Sequence, residues 1–143
     1  MYDPISPQTP PGAPQTGGSR MLPSGTERTM ALLAHLSIWI PQAGLIAPLV
    51  LWLANRDTAP FAAYQAKQAF FFHLAVTVGF WIVAAFGFVL GVLTLGLFFL
   101  VLIPMLCAWH LAAAFYGTIA ALQANEGKDF RYVVIGSMVQ PDP

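Results

Sequence analysis

The sequence predicts an all-α membrane protein: a polytopic helical bundle with three or four membrane segments and a disordered, proline-rich N-terminal tail. Of the 143 residues, 57% are hydrophobic and only 8% are charged, whereas soluble domains carry about 25% charged residues. Residues 29–55 and 68–125 contain no Asp, Glu, Lys or Arg, and a helix needs roughly 20 apolar residues to cross a bilayer. This composition argues against a soluble enzyme domain. A net charge of zero without a basic run also gives no electrostatic footprint for nucleic acid.

The N-terminal tail, residues 1–23, is rich in proline and glycine and has no apolar run. Such a segment buries too little apolar surface to offset the entropy of ordering, so we predict that it is disordered. No signal peptide is expected, because no apolar core precedes the first hydrophobic stretch. Ordered structure should begin at Ser24, because Ser24 and Glu27 have the spacing of a helix capping box.

The first membrane segment, about 26–55, allows two arrangements. A single helix of about 26 residues within 29–55 would be about 39 Å long and would have to tilt or bend, and Pro41 and Pro48 interrupt it. The alternative is a hairpin of two short helices, about 26–40 and 44–55, that dips into the membrane. The hairpin gathers all basic residues on one side, which the positive-inside rule favours, with both termini cytoplasmic. Both arrangements stay open at this point.

Two further helices are predicted in the second uncharged stretch, at about 60–86 and 93–124. Glycines between positions 87 and 96 indicate the turn between them. The membrane helical domain would then cover residues 24–127, followed by a short C-terminal tail, 128–143. The apolar half of that tail could lie against the membrane surface or pair as a strand.

Small residues recur at every fourth position of the predicted helices. Ala113, Gly117 and Ala121 form one row, and Ala75 and Gly79 form another. In lipid, close approach of helix backbones drives association, and small residues allow it. The rows therefore predict tight packing, either within one chain or in a homo-oligomer.

Three histidines, His35, His73 and His110, lie in apolar surroundings, where ionisable residues are functional candidates. In the hairpin arrangement His35 and His73 would lie at the same depth and could meet. No carboxylate lies within the spans to orient an imidazole as a metal ligand, so we expect neutral, hydrogen-bonded histidines and neither cofactor nor metal. The single cysteine, Cys107, is expected to be a small buried hydrophobe.

Catalytic chemistry is not indicated anywhere in the spans. Every carboxylate lies in a tail or connector. Ser37 lies two residues from His35, and residues two apart do not share a helix face. No nucleophile elbow, zinc-protease motif or phosphate loop is present. We therefore expect a protein that is not an enzyme.

Short motifs follow one another in a fixed order within residues 28–135: Ala34-His35-Leu36-Ser37, Leu45-Ile46-Ala47-Pro48-Leu49, Arg56-Asp57 with Pro60-Phe61, Gln65-Ala66-Lys67-Gln68-Ala69, Ala124-Asn125-Glu126-Gly127-Lys128, and Arg131-Tyr132. In these motifs the chain resembles a bacterial family of small integral membrane proteins, mostly of unknown function, that includes the magnetosome membrane proteins MamF and MmsF. The family is distantly related to the twenty-kilodalton Tic subunit of chloroplast protein import. The resemblance implies a membrane-embedded helical domain without known catalysis, and a role in protein translocation, assembly or organelle formation.

We therefore expect a non-enzymatic scaffold or assembly and translocation factor of the bacterial inner membrane, acting through helix packing with other membrane proteins. Alternatives are a subunit of an oligomeric transporter or channel, or a histidine-ligated haem or redox protein. The candidate functional or packing positions are His35, Pro48, Arg56, Asp57, Pro60, Phe61, Gln65, Lys67, Gln68, His73, Asn125, Gly127, Arg131 and Tyr132.

Overall fold

The computed structural model describes residues 22–40 and 43–141 of the chain. Within these residues the fold is all-α, as predicted, and contains no strand. The predicted disorder of the N-terminal tail falls almost entirely outside the described part. The helices are α1 (Gly25–Leu36), which continues into a 3₁₀ turn (Ser37–Trp39), α2 (Ala43–Asn55), α3 (Pro60–Leu93) and α4 (Phe99–Asn125).

The predicted capping box opens α1. The Ser24 hydroxyl accepts a hydrogen bond from the Glu27 N–H at 3.2 Å, and the Glu27 carboxylate accepts one from the Ser24 N–H at 2.9 Å. Both side chains therefore satisfy N–H groups that have no partner within the helix.

α1 enters the bundle antiparallel to α4. At its beginning, Pro23 lies beside Gly127, immediately after the end of α4. At its far end, Ile38 lies against Gly117, where a Cβ would come within 3.1 Å of the Ile38 side chain. Ile38 also packs on Ala113 of the same row. The small residues of α4 therefore pack against α1 of the same chain, which is one of the two arrangements that the sequence allowed.

α2 returns along α3 to the end of the bundle where α1 begins. Gly44, near the start of α2, is bonded to His73, whereas Trp52, near its end, packs on Phe70 and Phe71 and under the Lys67 ammonium. α2 therefore runs antiparallel to α3. In the described residues, α1 and α2 form the hairpin and not a single kinked helix.

The turn between α3 and α4 comes later than the sequence suggested. It was expected within positions 87–96, but α3 continues to Leu93 and α4 begins at Phe99. The turn backbone is left-handed at Leu95 and Gly96, with φ of 53° and 93°. Glycine at the second of these positions avoids the steric penalty that a side chain meets there.

Gly87 and Gly91 lie inside α3 and serve its packing on α4. A Cβ on Gly87 would collide with Leu102, and one on Gly91 would collide with the ring of Phe99. These glycines do not end the helix. Their role is in packing, because the absence of a side chain lets the partner helix approach closely. Their four-residue spacing is thus a packing feature within this chain.

α3 and α4 are each long and apolar enough to cross a membrane, whereas the apolar part of α2 is shorter. Only 11% of the most apolar stretch of each long helix is buried, so these helices are not the core of a soluble fold. Cys107, expected to be buried, is exposed. The physical reason is that Cys107 lies in the part of the bundle formed by α3 and α4, where much of the surface of α4 is uncovered.

Every charged side chain in the described ranges lies at one end of the bundle, the charged end. It comprises the beginnings of α1 and α3, the end of α2 with its connector, and the residues after α4. The opposite turn, Thr94–Phe98, has no charged residue. The members of the charged end are Glu27, Arg28, Arg56, Asp57, Lys67, Glu126, Lys128, Asp129 and Arg131.

The hairpin can be tested by single cysteines placed in a Cys107→Ala background. Thr26→Cys and Asp57→Cys should react with an impermeant maleimide from the same side of sealed vesicles, because both ends of the hairpin lie at the charged end. Leu95→Cys, 98% exposed in the opposite turn, should react only from the other side. Modification of Thr26→Cys and Asp57→Cys from opposite sides would contradict the hairpin.

Candidate functional site

His35 joins three separate parts of the chain beneath the charged end. Its Nδ1 lies 2.9 Å from the Tyr132 hydroxyl and its Nε2 lies 3.1 Å from the Gln65 Oε1. Gln65 in turn donates from Nε2 to the Asp129 carboxylate at 3.2 Å and to the Phe130 carbonyl at 3.4 Å. We call His35, Gln65, Asp129 and Tyr132 the histidine cluster.

The hydrogen bonds of the histidine cluster run in one direction. The Gln65 oxygen can only accept, so the imidazole carries its proton on Nε2 and presents Nδ1 as an acceptor. Tyr132 then donates to Nδ1. Burial raises the pKa of the Tyr132 phenol, which keeps the hydroxyl protonated. The chain of donors passes from Tyr132 through His35 and Gln65 and ends at the Asp129 carboxylate.

Aromatic packing holds Tyr132 in place. Its ring stacks on Phe72 of α3 at a centroid distance of 3.9 Å. Tyr116 and Phe130 meet it edge-on at 5.2 and 5.0 Å. Tyr132 is only 2% exposed, and aromatic pairs of this kind contribute roughly 0.5–1.5 kcal/mol beyond their buried area. The C-terminal segment, residues 128–141, is therefore held against α3 and α4.

A second set of contacts fixes the later part of the C-terminal segment. Gln68 donates to the Tyr64 hydroxyl at 2.9 Å and to the Val139 carbonyl at 3.5 Å. Lys67 donates to the Gln140 carbonyl at 3.0 Å. Of the two structures that the sequence left open for this segment, the described residues show turns and no strand.

His73 and Pro48 act together at the interface of α2 and α3. Pro48 has no N–H, so it cannot bond the carbonyl four residues earlier, which belongs to Gly44. The His73 Nδ1 bonds that carbonyl instead. Pro48 and His73 are both nearly inaccessible. The proline thus frees a backbone acceptor, and the histidine on the neighbouring helix satisfies it.

The hydrogen bonds of His35 and His73 go to different partners and not to each other, so their meeting stays a prediction. Each imidazole has its own partners, and His73 Nε2 is buried without a hydrogen bond to a described residue. His110 is only half-buried on α4. Within residues 22–40 and 43–141, no three His, Cys, Asp or Glu side chains are grouped as metal ligands. Ser37 donates to the Ala34 carbonyl at 2.8 Å.

Gly127 ends α4 with a Schellman motif. Its φ is +79°, a conformation that favours glycine. The Gly127 N–H bonds the Ala124 carbonyl at 2.9 Å, and the Lys128 N–H bonds the Gln123 carbonyl at 3.0 Å. Asn125 is the last helical residue and is exposed. This ending turns the chain so that the next residues reach Gln65.

The remaining candidate residues lie on the surface of the charged end. Arg56 and Asp57 form an exposed ion pair at 3.5 Å in the connector. Pro60 begins α3, as its missing N–H favours, and Phe61 is half-buried beside it. Arg131 pairs with Asp129 at 3.2 Å and lies over the Tyr64 ring. The structure does not bring the connector into the histidine cluster.

Sequence reasoning missed several residues on which this site depends. Asp129 accepts the last hydrogen bond of the cluster, and Phe72, Tyr116 and Phe130 form the aromatic seat of Tyr132. One signal was available in the C-terminal segment, where Phe130 and Tyr132 alternate with Asp129 and Arg131. Such alternation indicates two faces, one apolar and one charged.

The partnership of Pro48 and His73 can be tested by combining two substitutions. His73→Leu should lower the free energy of unfolding by about 1–3 kcal/mol, because it leaves the Gly44 carbonyl unsatisfied. In a Pro48→Ala background the restored N–H can bond that carbonyl, so the same change should cost less. SDS titration followed by helical circular dichroism measures both values. A Pro104→Ala background, on α4, serves as the control and should leave the cost unchanged. Equal costs in all three backgrounds would refute the partnership.

Comparison with known proteins places the chain in a family. The sequence profile of the magnetosome magnetite crystal formation protein family, MamF_MmsF, matches residues 26–139. This range includes the hairpin, both long helices and the histidine cluster. No curated protein and no solved structure matches the chain. The resemblance to MamF and MmsF is confirmed, and the likeness to the chloroplast import subunit stays a prediction. The chain is a membrane protein and belongs to the magnetosome magnetite crystal formation protein family.

Proposed function

We propose that this protein is a multi-pass, non-enzymatic scaffold of the bacterial inner membrane. In this proposal it acts in magnetite crystal formation by holding partner membrane proteins at its charged end. Membership of the family supports a role in magnetite crystal formation, and the distribution of polar groups supports the scaffolding role. The single observation that carries the proposal is that the buried polar side chains of the histidine cluster bond one another, while the charged side chains are displayed together at one end.

The hydrogen bonds of His35 and Gln65 hold the fold together. Both nitrogens of His35 and both polar atoms of the Gln65 amide have partners within the chain. A haem iron bound through His35 would have to displace the Tyr132 hydroxyl or Gln65. Such displacement leaves buried polar groups unsatisfied, at roughly 1–3 kcal/mol each. The cluster is therefore suited to positioning the C-terminal segment.

The charges favour one orientation in the membrane. Arg28, Arg56, Lys67, Lys128 and Arg131 all lie at the charged end, and the positive-inside rule places such an end in the cytoplasm. The opposite turn, Thr94–Phe98, then faces away from the cytoplasm. It contains no carboxylate, the negatively charged oxygen ligand that a side chain could offer to iron ions, so we propose that the protein influences crystals from the cytoplasmic side.

A transporter or channel subunit is the alternative reading. The uncovered surfaces of α3 and α4 carry large apolar side chains, among them Trp81, Phe86 and Leu100. A water-filled path needs polar groups or charged rings along it, and these surfaces supply few, among them the half-buried Thr77 and His110. These surfaces of α3 and α4 are better suited to contact lipid or the apolar helix faces of partner proteins.

The proposal is tested in a magnetite-forming bacterium whose own member of the family has been deleted. The wild-type chain should restore the number and diameter of magnetite crystals seen by electron microscopy. The double variant Arg56→Gln with Asp57→Asn should restore them poorly, because it removes the exposed connector charges without touching the histidine cluster. Leu97→Ala in the opposite turn, where the side chain is 70% exposed, is the control and should behave as wild type.

Membrane levels of all three proteins must match for the comparison to hold. Full restoration by the connector variant would contradict a role for the charged end. Solute flux through liposomes that contain only this protein would favour the transporter reading instead.

A further inference from the structure

A groove of about 650 Å³ lies between α3 and the end of the C-terminal segment. One wall is a face of α3 formed by Phe71, Leu74, Ala75 and Val78, and the other is formed mainly by Ile135 and Met138. We call it the α3 groove. Ala75 and Val78 are exposed, so the groove opens sideways onto the surface that faces lipid.

The α3 groove is polar at one end and apolar along its length. Lys67 lies at the end nearest the headgroup level, where its ammonium is 3.0 Å from the Gln140 carbonyl and 5.1 Å from the centre of the Trp52 ring. Aromatic rings and lysines of this kind favour the interface between water and lipid. From Lys67 the wall descends to Val78, about 16 Å at 1.5 Å per residue.

We propose that the α3 groove binds one anionic phospholipid, with its phosphate at Lys67 and an acyl chain along Phe71, Leu74, Ala75 and Val78. The Lys67 ammonium lies at one end of the apolar α3 groove, which matches a molecule with a negative head and an apolar tail. The sideways opening lets the molecule enter from the bilayer. A soluble phosphate compound would contact Lys67 and leave the apolar part of the α3 groove unoccupied. This proposal does not depend on the proposed scaffolding function.

The two walls give the bound lipid a structural consequence. Ile135 and Met138 belong to the C-terminal segment, which the histidine cluster and Gln68 tie to the bundle. An acyl chain between this segment and α3 would contact both. The lipid therefore completes the packing of the segment on its membrane side.

Native mass spectrometry of the full chain in detergent micelles tests the proposal. The protein is titrated separately with phosphatidylglycerol and phosphatidylcholine that carry the same acyl chains. We expect one tightly bound phosphatidylglycerol, preferred about fivefold, which is the effect of roughly 1 kcal/mol per lysine near an anionic lipid. Equal binding of the two lipids would overturn the proposal.

Paired variants separate the head from the tail. Lys67→Gln should abolish the preference for phosphatidylglycerol but keep weak binding of both lipids. Ala75→Phe should fill the groove and reduce binding of both. Two matched controls lie outside the groove and should bind as wild type: Lys128→Gln at the same end, and Ala112→Phe on an exposed part of α4.

Each remaining outcome counts against the site. A loss in Lys128→Gln equal to that in Lys67→Gln would show general surface charge only. Displacement of the lipid by an equal concentration of glycerol phosphate would show a headgroup site without a role for the groove. Only variants with wild-type helical circular dichroism are compared. If Ala75→Phe fails to fold, Val78→Phe provides the same obstruction.

Discussion

The hydrogen bonds of His35 are the interaction on which the arrangement of this protein depends. One imidazole links α1 to α3 through Gln65 and to the C-terminal segment through Tyr132, which lies 97 residues away in sequence. A buried polar group without a partner lowers the stability of the fold. These bonds therefore restrict the positions that the C-terminal segment can take. The same bonds set the depth of α1, since His35 must lie level with the second turn of α3.

The hairpin of α1 and α2 meets a related constraint. Backbone groups away from water must find partners inside the protein, and a helix that contains Pro48 lacks one internal bond. His73 supplies it by bonding the Gly44 carbonyl. The small residues Ala113 and Gly117 then let α1 lie close to α4. A short hairpin, held by specific side chains, thus brings both of its ends to the charged end, and this geometry is the basis for a scaffold with one polar face.

Parts of this fold follow from the sequence because local rules decide them. The long uncharged stretches predicted helices, and Ser24 with Glu27 predicted the start of α1. Gly127 was expected at the end of α4 and has the required backbone. The turn after α3 was placed too early because glycines usually interrupt helices, whereas here Gly87 and Gly91 admit side chains of α4. The partners of His35 were not predictable, because they depend on tertiary contacts that no local pattern encodes.

Amide hydrogen exchange in lipid nanodiscs tests the central role of His35 most directly. The N–H groups of Gly136 and Val139 bond carbonyls within the C-terminal segment at 2.7 and 3.1 Å. We expect them to be protected in the wild-type protein and to exchange about fivefold faster or more in His35→Phe, the effect of roughly 1–3 kcal/mol, while amides of α4 stay protected. Unchanged protection of the segment in His35→Phe would contradict the account.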